Sequence, residues 1–245
     1  MACVTLPFVL ATSPYYFMNK SAKLFCIVGL LDLVTAAKAQ IINTVSAWDG
    51  VTAAAPFGEP SIATIGQVFT VDPNFTHLDG FALTIANTSS APVNFSVFLS
   101  AWDSIGFHTV GSPLFSSGLV SLPSAATSFV PLLLPTSLSL EGNAQYVAFL
   151  TESPFFDGAP DSAKLGFVGS DVYADGGTVF IDNGNDVSLL STASWSATSS
   201  DLAFFATFST EVAPVPEPSS YGLVGAGLGL ALAGFRHYHL KRRRA

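Results

Sequence analysis

Short runs of alternating apolar and polar residues recur through the middle of this chain, separated by Gly, Pro, Asn, Asp and Ser. The runs at 81–86 and 93–100 are the clearest, and others lie at 67–71, 129–134, 145–151, 164–168, 178–181 and 202–208. Because neighbouring residues of a strand point to opposite faces, this period predicts strands. Eight or nine of them predict an all-β fold, a two-sheet jelly-roll-like sandwich over residues 40–210 with little helix.

This region carries most of the acidic residues and few of the basic ones. Between Gln40 and Ala213, Lys164 is the only basic residue against fifteen Asp and Glu, which gives a net charge of −14. A surface of this sign repels phosphate backbones, so we expect no nucleic-acid partner. Both cysteines, Cys3 and Cys26, precede the region, which excludes disulfides and cysteine-based sites from it.

The N-terminal segment, residues 1–39, has the layout of a signal peptide. A positively charged stretch precedes an apolar one at 24–35, and Ala37, Lys38 and Ala39 form a small-x-small cleavage signal that would leave Gln40 as the mature start. The earlier residues do not fit this layout, which favours Met18 as the initiator. The alternative is an uncleaved anchor, for which the apolar stretch is short of the ~20 residues that a span needs.

The C-terminal end has a different composition. A proline-rich linker at 211–220 is predicted to be extended, because proline denies it helix and ladder hydrogen bonds. The linker contains the motif Val215, Pro216, Glu217 and Pro218. Residues 221–245 predict a single transmembrane helix with a cytoplasmic basic tail. Its basic cluster consists of Arg236, Lys241, Arg242, Arg243 and Arg244.

Motif, span and basic cluster together resemble the PEP-CTERM sorting signal, over about the last thirty residues. The resemblance implies a substrate of an exosortase-type membrane protease, which recognises Pro216, Glu217 and Pro218 and cuts near them. It also implies export, a transient stay in the inner membrane, and delivery to the cell surface or outside the cell. The alternative is an ordinary tail-anchored protein with a proline-rich stalk.

Two segments of the middle domain, 97–103 and 138–150, resemble the choice-of-anchor sandwich domains that often precede such tags. The similarity is a pattern of strands and turns over about half of the domain. It implies a β-sandwich in a family that is defined by its anchors more than by an activity.

Motifs for common catalytic sites are missing from the sequence. There is no Gly-x-Ser-x-Gly elbow, no His-Glu-x-x-His and no phosphate loop. His77 and His108 are the only imidazoles between Gln40 and Ala213. We therefore expect a domain that is not an enzyme.

One aspartate-rich stretch offers oxygen ligands for Ca²⁺, the only cofactor that we consider. Its candidate ligands flank Gly184, on which such a loop could turn, and are Asp182, Asn183, Asn185 and Asp186. Asp, Asn and Gly also build ordinary solvated turns, which is the alternative.

Four aromatic residues are candidates for stacking on sugar rings: Trp48, Trp102, Tyr173 and Trp195. Such rings serve equally well in the core of a sandwich.

Three functions remain open. The first is a non-enzymatic structural or adhesive role in an exopolysaccharide or biofilm matrix, the second a carbohydrate-binding module, and the third a secreted hydrolase. PEP-CTERM proteins as a class are associated with Gram-negative bacteria that produce exopolysaccharide, which favours the first two.

Overall fold

A computed structural model describes residues 39–59, 61–124 and 126–210. The predictions that fall at 1–38 and 211–245, which cover the signal peptide, the sorting linker, the transmembrane helix and the basic cluster, lie outside the described residues. Among the described residues, 39–59, 61–124 and 126–210, no helix has both the length and the apolar character that crossing a membrane requires.

The described part of the chain consists almost entirely of β-strands joined by loops. They are β1 (Ala39–Asn43), β2 (Thr64–Thr70), β3 (His77–Asn87), β4 (Val93–Asp103), β5 (His108–Leu122), β6 (Val130–Ser139), β7 (Gln145–Thr151), β8 (Ala163–Leu165), β9 (Phe167–Val168), β10 (Gly177–Ile181), β11 (Ser196–Ala197), β12 (Asp201–Leu202) and β13 (Phe204–Ser209). A single α-helical turn, α1 (Leu189–Thr192), and two 3₁₀ turns (Val45–Ala47 and Ser153–Phe155) complete it. The all-β prediction is confirmed.

The strands form two large antiparallel sheets and a small one. The five-stranded sheet has the order β1-β13-β3-β6, with β8 also paired to β3. The six-stranded sheet has the order β11-β10-β2-β7-β4-β5, and β12 pairs with β9. Successive strands often lie in different sheets, so much of the pairing joins residues that are far apart in sequence.

The two large sheets pack face to face around one apolar core. Phe81, Leu83 and Ile85 of β3 belong to the same buried cluster as Phe95 and Leu99 of β4. Each fully buried side chain of this size contributes roughly 1.5–3 kcal/mol, so the interface between sheets dominates the stability. The alternation predicted for β3 and β4 is therefore confirmed, and with it the sandwich.

The six-stranded sheet also buries part of its outer face. In β7, Tyr146, Ala148 and Leu150 face the main core, whereas Val147 and Phe149 belong to a second apolar cluster. Trp195, from the segment that follows α1, packs on this second cluster. The loop around α1 therefore covers part of the outer face.

Sequence patterns missed β1, β5 and the two-residue β11. The interruptions in β5 at Gly111, Pro113 and Gly118 are typical of turns, yet β5 pairs with β4 along most of its length. It is an edge strand with two register shifts, and edges and bulges are where a strand tolerates Gly and Pro.

Candidate functional site

An open cleft of about 380 Å³ lies on the outer face of the six-stranded sheet. Residues of β2, β4, β7 and β10 line it, together with the β4–β5 turn and the loop before β10. Trp102 and Phe107 give it aromatic surface. Its polar lining side chains are Thr70, Ser104, Gln145, Asp175 and Thr198. A cleft with aromatic surface and several hydrogen-bonding groups suits a polar ligand with apolar faces.

The β4–β5 turn displays Phe107 at the cleft. Asp103 organises the turn, because its Oδ1 accepts from the Ile105 N–H at 2.8 Å and its main-chain carbonyl accepts from the Phe107 N–H at 2.8 Å. Phe107 adopts a left-handed φ of 54° and leaves 40% of its surface exposed. Its carbonyl accepts from the Trp195 N–H at 2.7 Å, which ties the turn to the loop over the sheet.

Tyr173 holds the opposite wall of the cleft. Its hydroxyl donates to the Thr70 carbonyl at 3.1 Å and accepts from the Thr70 N–H at 3.2 Å. The Thr70 hydroxyl donates to the Asp175 carbonyl at 2.7 Å. Burial raises the pKa of Tyr173 above its usual value, so the phenol stays protonated and able to donate.

Gln145 supplies an unused acceptor to this cleft. Its Nε2 donates to the Thr70 hydroxyl at 3.3 Å, but its Oε1 is buried without a hydrogen-bond partner. A buried acceptor without a partner costs roughly 1–3 kcal/mol, so this glutamine lowers the stability of the cleft wall. Sequence reasoning missed Gln145, because a glutamine at the start of a strand carries no motif.

The structure corrects the stacking prediction at Trp195. Trp195 is 3% exposed, with its ring edge-on to Trp102 and Phe149 at 5.4 Å in both cases. Its Nε1 donates to the Leu190 carbonyl at 3.0 Å. The ring is a core element with no face for a sugar, because it packs on the part of the outer face that the loop around α1 covers. Trp102 is 8% exposed and reaches the cleft with that small fraction.

The two remaining predicted aromatics are half-buried. Trp48 donates from Nε1 to the Thr52 carbonyl at 2.7 Å and packs edge-on against Phe129 at 4.9 Å, and it does not line the cleft. Tyr173 acts through its hydroxyl, as a support for the cleft wall. The structure thus brings Trp102 and Tyr173 to one region and leaves Trp48 apart.

The predicted Ca²⁺ loop is built as a structural turn. Asn183 is buried, and its Oδ1 accepts from the Thr64 hydroxyl at 2.8 Å while its Nδ2 donates to the Ser153 hydroxyl at 2.6 Å. Asp186 accepts from the N–H and the hydroxyl of Ser188, and these bonds lower the pKa of its carboxyl. Asp182 and Asn185 are exposed. Asn183 is therefore not free to serve as a ligand, because it anchors the loop to β2.

The two histidines of the domain do not form a catalytic triad. Nε2 of His77 lies 3.2 Å from the Ser137 hydroxyl and 3.9 Å from Oδ1 of Asp79. A triad needs its carboxylate at the other ring nitrogen, where it can orient the imidazole. Nε2 of His108 lies 3.7 Å from Oδ2 of Asp103, and its Nδ1 lies 3.0 Å from the Thr109 carbonyl. Among the described residues, no serine hydroxyl is hydrogen-bonded to this ring.

A pair of carboxyl groups that the sequence did not single out lies away from the cleft. Glu152, directly after β7, is 2% exposed and lies near the Asp161 carboxyl, which acts on its pKa. Burial, and then the Asp161 carboxyl, raise the pKa of Glu152 from 4.5 to about 9, and burial raises the pKa of Asp161 as well. Groups in direct contact leave no room for a sugar between them, whereas the two carboxyls of a glycosidase stand roughly 5 Å or more apart.

Comparison with known proteins identifies the C-terminal segment. Residues 214–243 match the PEP-CTERM protein-sorting motif. This match supports an exported protein that an exosortase, a membrane protein, sorts toward the cell surface. No curated protein matches the chain.

Three solved structures share a distant likeness. The cysteine protease and lectin-like domains of Cwp84, a surface layer associated protein of Clostridium difficile, align with a TM-score of 0.37 and 14% identity, over 60% of this chain and 32% of that one. A clostridial Cwp84 after propeptide cleavage aligns with a TM-score of 0.41 and 13% identity, over 71% of this chain and 40% of that one. The structure of the infectious bursal disease virus Gx strain aligns with a TM-score of 0.33 and 12% identity, over 76% of this chain and 43% of that one. This chain spans less than half of each of them, and scores this low do not assign a shared function.

Proposed function

We propose that this protein is the cargo of an exosortase-type sorting system, and that its β-sandwich serves at the cell surface or in the extracellular matrix without catalysing a reaction. The match of residues 214–243 to the PEP-CTERM sorting motif carries the sorting part of this proposal. The chain is held in the inner membrane by residues 221–245 until the protease cuts near Glu217.

The sandwich is a jelly roll with an insertion, in our interpretation. Eight strands, β1 to β7 and β13, divide into the sheets β1-β13-β3-β6 and β2-β7-β4-β5. This order supports the interpretation, because the strands of a jelly roll cross between two four-stranded sheets in the same succession. The small strands β8 to β12 lie between the seventh and the last of the eight, and β10 and β11 among them contribute to the wall of the cleft.

The lining of the cleft supports binding rather than catalysis. Asp175 is the single ionisable side chain among the lining residues. Acid–base or nucleophilic chemistry needs at least two cooperating groups, such as a nucleophile and its base. His77 and His108 do not belong to this lining, and the carboxyl pair of Glu152 and Asp161 lies elsewhere.

A carbohydrate is the second candidate, as a ligand of the cleft. Phe107 and the exposed part of Trp102 give apolar surface for the face of a sugar ring. The carboxylate of Asp175 and the hydroxyl of Thr198 are hydrogen-bonding groups for its hydroxyls. The net charge of −14 between Gln40 and Ala213 favours a neutral glycan over an anionic one.

Cell fractionation tests the sorting function. A triple variant carries Pro216→Ala, Glu217→Ala and Pro218→Ala, and its matched control carries Ser219→Ala and Ser220→Ala in the same linker. We expect the triple variant to accumulate in the inner membrane and the control to reach the surface. Wild-type surface levels of the triple variant would contradict the proposal.

Titration of neutral glycans by calorimetry tests the second candidate. Phe107→Ala is expected to weaken binding at least tenfold, because it removes the exposed aromatic surface of the cleft. Leu133→Ala, on an exposed residue of the other sheet, is the control and should bind as the wild type does. If no neutral glycan binds the wild type, the carbohydrate candidate is withdrawn and the sorting function is untouched.

A further inference from the structure

A second pocket, of about 420 Å³, lies on the outer face of the six-stranded sheet. Residues of β4 and β7 line it from the sheet, β5 borders it, and α1 and the 3₁₀ turn after β7 contribute the remaining wall. It shares no lining residue with the cleft. Pockets that bind small molecules have volumes of roughly 300–1,000 Å³, so this one is large enough to hold a ligand.

The lining of this pocket is mostly apolar, and two aromatic rings form its floor. Phe98 of β4 is the register partner of Phe149 of β7, and their ring centroids are 5.5 Å apart at an interplanar angle of 30°. Phe149 is 1% exposed, whereas Phe98 is half-buried and presents ring surface to the pocket. Three further apolar side chains line it at exposed or half-buried positions: Pro154, Val187 and Leu190.

The hydroxyl groups of the lining are mostly engaged within the protein. Thr109 donates to the Leu190 carbonyl at 2.9 Å. Oγ1 of Thr151 accepts from the Ser153 N–H at 3.3 Å and lies 2.7 Å from the Thr64 hydroxyl oxygen. These hydroxyls need no hydrogen bond from a ligand, so the pocket does not require a polar one.

The α1 wall is fixed at a distance from the sheet. The Leu190 carbonyl accepts from the Thr109 hydroxyl of β5 and also from Nε1 of Trp195, at 3.0 Å. On the β5 side, Gly111 has a φ of +71°, and a Cβ built on it meets no atom within 4 Å. The pocket therefore exists without a ligand and is open toward β5, as expected of a pre-formed site.

The charge of the surroundings excludes one class of apolar ligand. None of the described residues that line the pocket has an ionisable side chain, so the lining offers no counter-ion. Asp186, next to Val187 in the chain, is exposed, and the net charge between Gln40 and Ala213 is −14. An anionic amphiphile such as a fatty acid is repelled by such a field, whereas a neutral molecule is not.

We propose that this pocket binds a neutral molecule with one or two aromatic rings, seated on Phe98 and against Leu190. The aromatic floor favours rings, because rings gain from offset or edge contacts with other rings. A cavity of roughly 150 Å³ holds one benzene ring, so the volume here suits about two. The site is independent of sorting and of the cleft.

Photolabelling of the full chain in lipid nanodiscs tests the proposal, because no free detergent then competes for the pocket. Benzophenone is the probe, since it is neutral, has two rings and inserts into nearby C–H bonds on irradiation. Peptide mass spectrometry should find the adducts of the described residues concentrated at 98–113 and 187–191. An adduct level there no higher than around Leu133, which is exposed on the other sheet, would overturn the proposal.

Two valines of similar exposure provide the variant and its matched control. Val187 lines the pocket and is 50% exposed, whereas Val172 is 45% exposed and lines neither the pocket nor the cleft. Val187→Asp should reduce labelling at 98–113 by about fivefold or more, because a bound ring would desolvate the new carboxylate. Val172→Asp should label as the wild type does. Equal labelling of both variants would contradict the site.

Competition on the wild type tests the chemistry of the ligand without any variant. The competitors are 2-naphthalenemethanol, which is neutral, and 2-naphthoate, which has the same rings and a negative charge. At equal free concentrations, we expect the alcohol to suppress labelling of the pocket and the carboxylate to leave it unchanged. The proposal is overturned if the carboxylate competes equally well, which would indicate an anionic amphiphile, or if the alcohol does not compete.

Discussion

Oδ1 of Asp201 accepts a hydrogen bond from Nε2 of Gln67 at 2.8 Å, and both residues are fully buried. Gln67 makes a second hydrogen bond to the same segment, in which its Oε1 accepts from the Leu202 N–H at 2.8 Å. The second oxygen of Asp201 accepts from the N–H groups of Val172 and Tyr173 at 2.9 and 3.0 Å. One buried carboxylate thus joins β2, β12 and the wall of the cleft.

Asp201→Ala is expected to lower the free energy of unfolding by about 2–4 kcal/mol, because it leaves two main-chain N–H groups and the Gln67 amide without their acceptor. Urea denaturation measures the loss. Asp171→Asn, an exposed neighbour of the same loop, should stay within about 0.5 kcal/mol of the wild type. Equal effects of the two changes would show that the network does not support the wall.

Asn183→Ala is expected to cost about 1–3 kcal/mol, because the Thr64 and Ser153 hydroxyls lose their buried partner. Asn185→Ala removes an exposed amide from the same loop and should cost little. Hydrogen exchange at residues 184–190 should accelerate in the first variant alone. An unchanged exchange rate there would mean that Asn183 does not hold the loop against β2.

Trp195→Ala and Phe107→Ala separate the core from the cleft. The first removes a ring that packs on Trp102 and Phe149, so we expect a loss of about 3–5 kcal/mol in unfolding free energy. The second removes an exposed ring and should leave stability within about 1 kcal/mol of the wild type. Thermal melting of both variants measures which loses more stability. A lower melting temperature for Phe107→Ala than for Trp195→Ala would contradict this assignment.

In EDTA, the stability of the wild type is expected to fall as the pH rises from 4.5 to 9. The pKa of Glu152 is raised from 4.5 to about 9 in the folded chain, so across this window the folded protein keeps a proton that the unfolded chain releases. Glu152 thus adds stability that is complete below pH 4.5 and is lost progressively as the pH approaches 9. The raised pKa of Asp161 acts in the same direction.

Glu152→Gln should flatten that fall, since the amide does not titrate. The measurement is the urea midpoint of unfolding at pH 5, 7 and 9. Glu141→Gln, at an exposed glutamate, is the control, and its midpoint should fall with pH as the wild-type midpoint does. A wild-type midpoint that stays constant between pH 5 and 9 in EDTA would mean that Glu152 ionises as an ordinary carboxyl.

Local patterns predicted the central strands well and the edges poorly. β7 was predicted at 145–151 and forms Gln145–Thr151, because both of its faces are buried and its apolar run is unbroken. β5 was missed because an exposed edge strand can carry Gly111, Pro113 and Gly118 at little cost. Hydrophobic periodicity reports burial, so it fails where a strand is exposed.

The functional residues depended on contacts that no local pattern encodes. Trp102 was predicted from its chemistry and lies at the cleft, but Gln145 and Glu152 stand out only through their unpartnered buried oxygens. Glu152 meets Asp161 through the return of the chain after β7, and Asp201 meets Gln67 across 134 positions. Only the topology of the sandwich brings such pairs together.

The intact mass of the protein recovered from the cell surface tests the sorting function most directly. In the wild-type host we predict a surface chain that begins near Gln40 and ends near Pro218. In a host without its exosortase we predict that the protein stays in the inner membrane and retains residues 219–245. A surface protein that keeps its basic cluster in both hosts would contradict sorting by the PEP-CTERM signal.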